Sequence, residues 1–481
     1  MNPLEDKISS STRWTFLTEI MSKLIAPISN IVLARLLAPE AFGVLASVQM
    51  VLSFADMLAD AGFQKYIVQK EFIGADDRNK CTLVAIWSNM LLSLTLWVII
   101  VIWRDNLASL VGNPGLGLVL GVAGMAIPLT SISSVQLALL RRDFKFKSIL
   151  AFRLITILVP LGVTVPLANL GYGYWSLIIG YIVAQGLLSL AVTLYSDIKI
   201  TFFYDFKILK AMLVFSIWTL VESMAIWLTS WIDIFIVSNA FSSYYLGIYR
   251  MSMVSVNGII AMLAGAITPV LYSALSRLQN NELEFKKTFY HVLSRSAMMV
   301  VPMGVGIFVY KDIARAILFG HKWQDADMMI GLWGLTSCLA VLFCHFCSEL
   351  YRAKGAPKVS CLAQVLHMVF LIPIIYSFSN SFEELVYMRN FARLQSIFVH
   401  FLLVYYFFKI NPLSILKKTA PFILSAIVMG ISAVLIRSLY QNIAFDLISI
   451  AISIGVYFGL LMITKNGRIL MHSIIKNKSL Y

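Results

Sequence analysis

Charged side chains set inside apolar stretches are the part of this sequence that could do chemistry. Glu19 and Lys23 stand one helical turn apart within Trp14–Leu37, Asp56 and Asp60 within Phe42–Lys65, and Arg389 and Arg393 within Glu384–Phe408. Ionisable groups are costly in hydrocarbon, so their default placement is toward protein or a water-filled cavity. Two carboxylates on one helix face repel, so one of Asp56 and Asp60 is expected to be protonated or paired with Lys23, Lys65 or another cation. Such a pair suits proton or cation coupling. Two arginines on one face are the opposite case, a wall for an anion.

The candidates for a substrate-binding wall are therefore Lys23, Arg35, Arg153, Arg250, Arg295, Arg389 and Arg393. Those for ion coupling or gating are Glu19, Asp56, Asp60, Glu222, Asp233 and Glu349. Each has a plainer reading. Glu19 and Lys23 form an internal ion pair that eases insertion. Asp60 lies near the cytoplasmic interface and is solvated there. Arg35 and Arg153 snorkel to an interface. Asp233 and Arg250 pair across a short outer turn, with a gate-like role second. His291 and Arg295, and His345 and Glu349, repeat the one-turn spacing, whereas His367 reads as a packing residue. Cys344-His345-Phe346-Cys347 has the outline of a metal or redox motif. It sits in an apolar run without a second ligand pair, so packing is the favoured reading. No metal, disulfide, cofactor or catalytic residue is expected.

The elements that position these groups follow from composition. With 59% hydrophobic and 13% charged residues in 481, the chain lies far from soluble usage of about 45–50% apolar and 25% charged. It reads as an all-α polytopic membrane protein. The start, Met1–Thr12, is polar and lacks the apolar core of a signal peptide, so the first span is expected to be retained. Apolar runs closed by charge, proline or glycine predict about 14 spans. They are Trp14–Leu37, Phe42–Lys65, Thr82–Trp103, Leu116–Leu140, Ser148–Ala168, Tyr174–Tyr195 and Ala211–Ser238, then Tyr245–Leu275, Thr288–Tyr310, Met328–Leu350, Val359–Phe378, Glu384–Phe408, Thr419–Arg437 and Phe445–Thr464.

Lys and Arg alternate along the connections. Those holding Arg141, Arg142, Lys145 and Lys147, or Arg352, Lys354 and Lys358, are basic, and the alternate ones hold little beyond Arg104, Lys311, Arg315 and Lys322. Positive residues stay inside, which predicts both termini in the cytoplasm. The net charge of +14 is read as topogenic, not as a nucleic-acid surface. Shifted by about 204 positions, Trp14-Thr15 falls on Trp218-Thr219, and Phe42-Gly43 on Leu246-Gly247. The basic stretches Leu139–Lys147 and Leu350–Lys358 correspond as well. Two six-helix lobes related by a parallel pseudo-two-fold are expected, residues 1–210 and 211–410, with two C-terminal helices in 411–481. Repeats place a substrate path at their interface. No connection is long enough for an independent domain; the longest outer one is Lys311–Asp327.

Four stretches carry a family resemblance: I-V-L-A-R-L-L-A-P-E-A-F-G (Ile31–Gly43), A-D-A-G-F-Q-K-Y-I-V-Q-K (Ala59–Lys70), L-A-L-L-R-R-D-F-K-F-K (Leu137–Lys147) and D-I-F-I-V with Y-Y-L-G-I-Y (Asp233–Tyr249). They resemble the Wzx-type polysaccharide flippases of the multidrug/oligosaccharidyl-lipid/polysaccharide superfamily, most closely the branch exporting colanic-acid-like or teichuronic-acid-like polymers. The resemblance implies a V-shaped pair of lobes around a partly cationic cavity. It implies transport, by alternating access, of an oligosaccharide on undecaprenyl diphosphate from the cytoplasmic to the outer leaflet, with cation coupling as an option. It also implies a bacterial inner or plasma membrane location and, as partners, a polysaccharide polymerase and a chain-length regulator; a monomer is the default expectation. The alternatives are a drug/cation antiporter of the same fold, which would want a cavity of carboxylates and aromatics, and a membrane polysaccharide polymerase, which would want a large outer loop. The expectation is a transporter, not an enzyme.

Overall fold

The structure, a computed structural model, describes residues 21, 25, 27–198, 200–439, 442–464, 467 and 468. Among these, every regular element is a helix. Hydrocarbon gives backbone amides no partner, so a spanning segment must satisfy its own, as a helix does. Twelve of the described helices are long and apolar enough to cross a bilayer, or thirteen if the bent helix Ser243–Arg277 counts as one span. The sequence count of 14 also includes Trp14–Leu37, much of which lies outside the described residues; its described end is a short apolar helix, α1 (Pro27–Leu36).

By contacts the chain divides into two compact units, Met1–Met251 and Ser252–Tyr481. The first holds α2 (Pro39–Asp60), α3 (Phe63–Gln69), α4 (Gly74–Ile102), α5 (Arg104–Leu110), α6 (Gly117–Ala123), α7 (Ala126–Arg142), α8 (Phe146–Asn169), α9 (Tyr174–Tyr195), α10 (Phe206–Ala240) and the start of α11 (Ser243–Arg277). The second holds the rest of α11, α12 (Glu282–Val309), α13 (Lys311–Leu318), α14 (Asp327–Ala340), α15 (Phe346–Ala353), α16 (Pro357–Ser377), α17 (Phe382–Phe408), α18 (Pro412–Leu439) and α19 (Ile443–Ile463).

In the first unit, Val44, Val48, Leu52, Ala55 and Ala59 of α2 pack on Ile100, Ala108, Val119, Leu120, Ile127 and Ile178. The compact division falls inside α11, beyond the 210/211 boundary of the sequence repeat. The reason is that α10 packs on α2, α3 and α4. Trp227 of α10 donates its indole N–H to Ser53 Oγ at 3.0 Å, and its ring meets Phe54 at 4.8 Å. Two glycines bring the start of α11 against α2. A β-carbon on Gly43 would strike the Ser243 backbone, and one on Gly247 the Pro39 backbone. Small residues permit such close backbone approach. In α2 the helix starts with Pro39 at its first turn and stops where Ala61 and Gly62 take positive φ, 44° and 82°.

In the second unit, α12 packs on α14 and α18, α14 on α17, α16 on α17 and α18 on α19. Ser381 caps α17 by accepting the Glu384 N–H at 3.2 Å, a Ser-x-x-Glu start legible in the sequence. Gly355 at φ 70° and Pro357 opening α16 make a turn between α15 and α16. The span around Met328–Leu350 is not one α-helix: a π-helical turn at Val341–His345 separates α14 from α15. Lys311–Asp327 is not open loop either, because α13 and a 3-10 turn occupy it. Arg315 Nε pairs with Asp327 at 2.6 Å and ties that connection to the start of α14.

Candidate functional site

Two polar constellations stand out, one inside each unit. In the first, α2, α4 and α7 enclose a cavity of about 180 Å³ lined by Asp56, Asp60, Gln64, Asn89, Thr130, Ser131 and Ser134. The Thr130 hydroxyl donates to Asp56 Oδ1 at 2.6 Å. Asp60 is engaged differently. At the end of α2, its Oδ1 accepts the Gln64 backbone N–H at 3.3 Å and caps α3. The two carboxylates share a helix face as expected, but α3 takes up only one of them. Lys65 turns away and pairs with Glu222 of α10 at 2.7 Å, both side chains exposed.

Other charged candidates in this unit are dispersed. Asp233 is 4% exposed and accepts the Tyr249 hydroxyl at 2.9 Å. Arg250 lies over the Trp231 ring at 4.9 Å. Among the described residues the expected Asp233–Arg250 pair forms no direct salt bridge: Arg250 still feels the Asp233 charge, but its guanidinium lies on the aromatic face and the Tyr249 hydroxyl donates to the acid. Arg35 and Arg153 are exposed. Arg153 sits near the start of α8, a helix with little of its surface buried, which fits a side chain reaching an interface. Glu19 and Lys23 lie outside the described residues.

The second constellation centres on Trp333 of α14. Arg393 and Arg389, one turn apart on α17, both face its ring, with guanidinium carbons 3.9 and 5.0 Å from the centroid. Arg389 is 7% exposed. Trp333 is held from behind, its indole N–H donating to Asn257 Oδ1 at 3.0 Å. A turn below, Thr336 donates to Asn390 Oδ1 at 2.7 Å and locks α14 to α17. Farther along, Cys344 and Ser396 lie 3.4 Å apart, on the π-helical turn and α17. A guanidinium over an indole ring has its orientation restricted. Two of them on one ring form a fixed cationic surface within an apolar span.

The remaining candidates of this unit belong elsewhere. Glu349 pairs with Arg352 at 2.9 Å, and half-buried Arg295 lies on α12. His400 stacks on Tyr351 at 5.7 Å and shares a 3.1 Å hydrogen bond with its hydroxyl, which makes it a packing residue. Cys344 and Cys347 are buried free thiols. A separate recess of about 680 Å³ between α12, α13, α18 and α19 is apolar, lined by Met298, Met303, Ile307, Ile317, Ile454 and Phe458 among others.

Sequence reasoning missed Trp333, Asn257, Asn89 and Thr130. A usable signal existed: Asn89 and Asn257 are amides inside otherwise apolar runs, and uncharged polar groups in a span need partners much as charges do.

Known proteins resemble this chain along most of its length. A membrane protein of unassigned function from the cps region of Klebsiella pneumoniae is 23% identical over 390 residues, 80% of this chain and 78% of that one. The succinoglycan biosynthesis transport protein ExoT of Rhizobium meliloti is 22% identical over 334 residues, 68% of this chain and 66% of ExoT. In three dimensions, the lipid II flippase MurJ in an inward closed conformation superposes with a TM-score of 0.72 at 15% identity, covering 94% of this chain and 98% of MurJ. The helical fold is thus shared with that protein. A family profile described as polysaccharide biosynthesis protein matches residues 32–327. That match takes in well over half of the sequence, and by it this chain belongs to the polysaccharide biosynthesis protein family.

Proposed function

We infer that this protein is a flippase, moving lipid-linked oligosaccharide units across a bacterial cell membrane for surface polysaccharide assembly. The carrier is taken to be undecaprenyl diphosphate, and the direction from the cytoplasmic to the outer leaflet. Membership of the polysaccharide biosynthesis family gives the process, and the transport role named for ExoT gives the step. The observation that carries the reading is the Arg389–Arg393 pair held on Trp333. A diphosphate leaves water only where donors replace its hydration. The planar guanidinium fork grips phosphate oxygens in pairs. Tethering to one indole means that little orientation entropy remains to be lost on binding. The apolar recess beside α18 and α19 offers the lipid tail a seat while the polar head crosses. With the cell interior negative, outward movement of an anion is favoured by about 2.3 kcal/mol per charge per 100 mV.

Deletion of the gene followed by lipid analysis tests this. Complete lipid-linked units should accumulate on the cytoplasmic leaflet. Units already exposed outside but left unpolymerised would instead mean a polymerase and overturn the reading. Arg393→Ala should lower export at unchanged protein level.

A further inference from the structure

From Met328 to Tyr351 the chain is turned inward, and His345 is the one exposed residue in that stretch. Its ring makes no hydrogen bond to the described residues, whereas His400 shares one with the Tyr351 hydroxyl. Polar groups inside a span need partners. An imidazole that reaches open space and bonds to nothing in the protein is set to bond to something outside it. It stands on the π-helical turn Val341–His345, a form concentrated at functional sites.

That turn lies beside the arginine pair. Cys344, the preceding residue, is 3.4 Å from Ser396 Oγ on α17, and that hydroxyl donates to the Arg393 carbonyl at 2.7 Å. Of the elements packed on the turn, α17 brings Arg393 and His400 within electrostatic reach of the imidazole and α15 brings Arg352, while α12 brings no charge to it among the described residues. Glu349, one turn along, is held by Arg352 at 2.9 Å. Positive charge on two sides, with no carboxylate bonded to the imidazole, suits an anion.

We propose that, on the flippase reading, His345 is a third ligand for the diphosphate, on the side of the Arg389–Arg393 wall toward Arg352. Arginine keeps its charge at every physiological pH, so two arginines alone bind a doubly esterified diphosphate with little regard to pH. Imidazole changes charge between about pH 5 and 8. As imidazolium it donates from both nitrogens and adds a charge, and as neutral imidazole it donates from one. His345 therefore makes the grip on the cargo stronger in acid and weaker in base.

The test is equilibrium binding of a short-chain prenyl diphosphate carrying a single N-acetylglucosamine to the purified full-length protein in detergent, at constant ionic strength. A diphosphate esterified at both ends has no proton to lose near neutral pH, so a pH effect reports the protein. Binding should be tighter at about pH 6 than at about pH 8. His345→Gln should weaken it about tenfold at about pH 6, the worth of one charge-assisted hydrogen bond, and should flatten the pH difference. Arg393→Ala should weaken it at both pH values, and His321→Gln, on the 3-10 turn far from the wall in sequence, should bind as wild type. If His345→Gln does not fold, His345→Asn carries the same test. Wild-type affinity or the wild-type pH difference in a folded His345 variant overturns the proposal, as does absence of saturable binding to the wild type. Loss of binding in Arg393→Ala with none in His345→Gln would remove His345 and leave the arginine wall standing. Flipping itself is read separately, by gene deletion and lipid analysis.

Discussion

Trp333 holds two guanidinium groups against its ring and is anchored by Asn257 on its edge. A cation–π contact contributes about 0.5–2 kcal/mol, the upper end where the pair is desolvated. Trp333→Ala should therefore cost stability and loosen both arginines. We expect a lower unfolding temperature and reduced export, with Trp333→Phe intermediate because it keeps a ring but loses the indole N–H. Arg393→Lys should also lose export, since an ammonium keeps the charge but not the plane; wild-type export in Arg393→Lys would argue against fork recognition. Outside the spans, Asp312 on α13 is partly buried, which raises its pKa, but the hydrogen bond and charge of Arg437 at 2.6 Å prevail and hold it below the usual carboxylate value. A depressed folded-state pKa gives stability that is present above the unfolded value and lost as pH falls through the folded one. Asp312→Asn should thus unfold at lower temperature than wild type at neutral pH, with the gap closing below about pH 4. A gap that persists in acid would assign the effect to packing.

The elements were legible where hydrophobicity alone decides. Tyr174–Tyr195 is the same range as an apolar run and as α9. Breaks inside spans were not legible. In the run 116–140 only Gly121, Gly124 and Pro128 hint at the interruption between α6 and α7, and the π-helical turn at Val341–His345 leaves no mark on an apolar sequence. At the first break the packing is visible: Trp97 lies against Gly124 and donates its indole N–H to the Gly121 carbonyl at 2.9 Å. Helix crossings yield a sharper prediction. Gly43→Ala should destabilise the folded protein by about 1–3 kcal/mol, because the added methyl meets the Ser243 backbone. Gly306→Ala, with open space at its β-position, should be neutral or stabilising through helix propensity. Thermal unfolding of the two variants in the same detergent checks the contrast, which equal behaviour would refute.

Orientation in the membrane is a property of the whole molecule. Single cysteines at Lys147 and Lys358, in a chain whose five cysteines are replaced by serine, should react with an impermeant maleimide only when the cytoplasmic face is accessible. One at Lys322 should react in intact cells. Labelling of Lys147 from outside would invert the assignment drawn from Lys and Arg asymmetry. At this scale the sequence alone determined that the chain is all-helical and crosses the membrane many times, because a bilayer imposes length and apolarity on each segment separately. It also determined the family, whose features lie in contiguous stretches such as Ile31–Gly43. Only the tertiary structure decided which polar groups meet. Asp56 finds Thr130, Lys65 finds Glu222, and Arg393 finds Trp333 across separations of 74, 157 and 60 positions. Such partners are chosen by how helices cross, and an apolar run does not record which face of it another helix will cover.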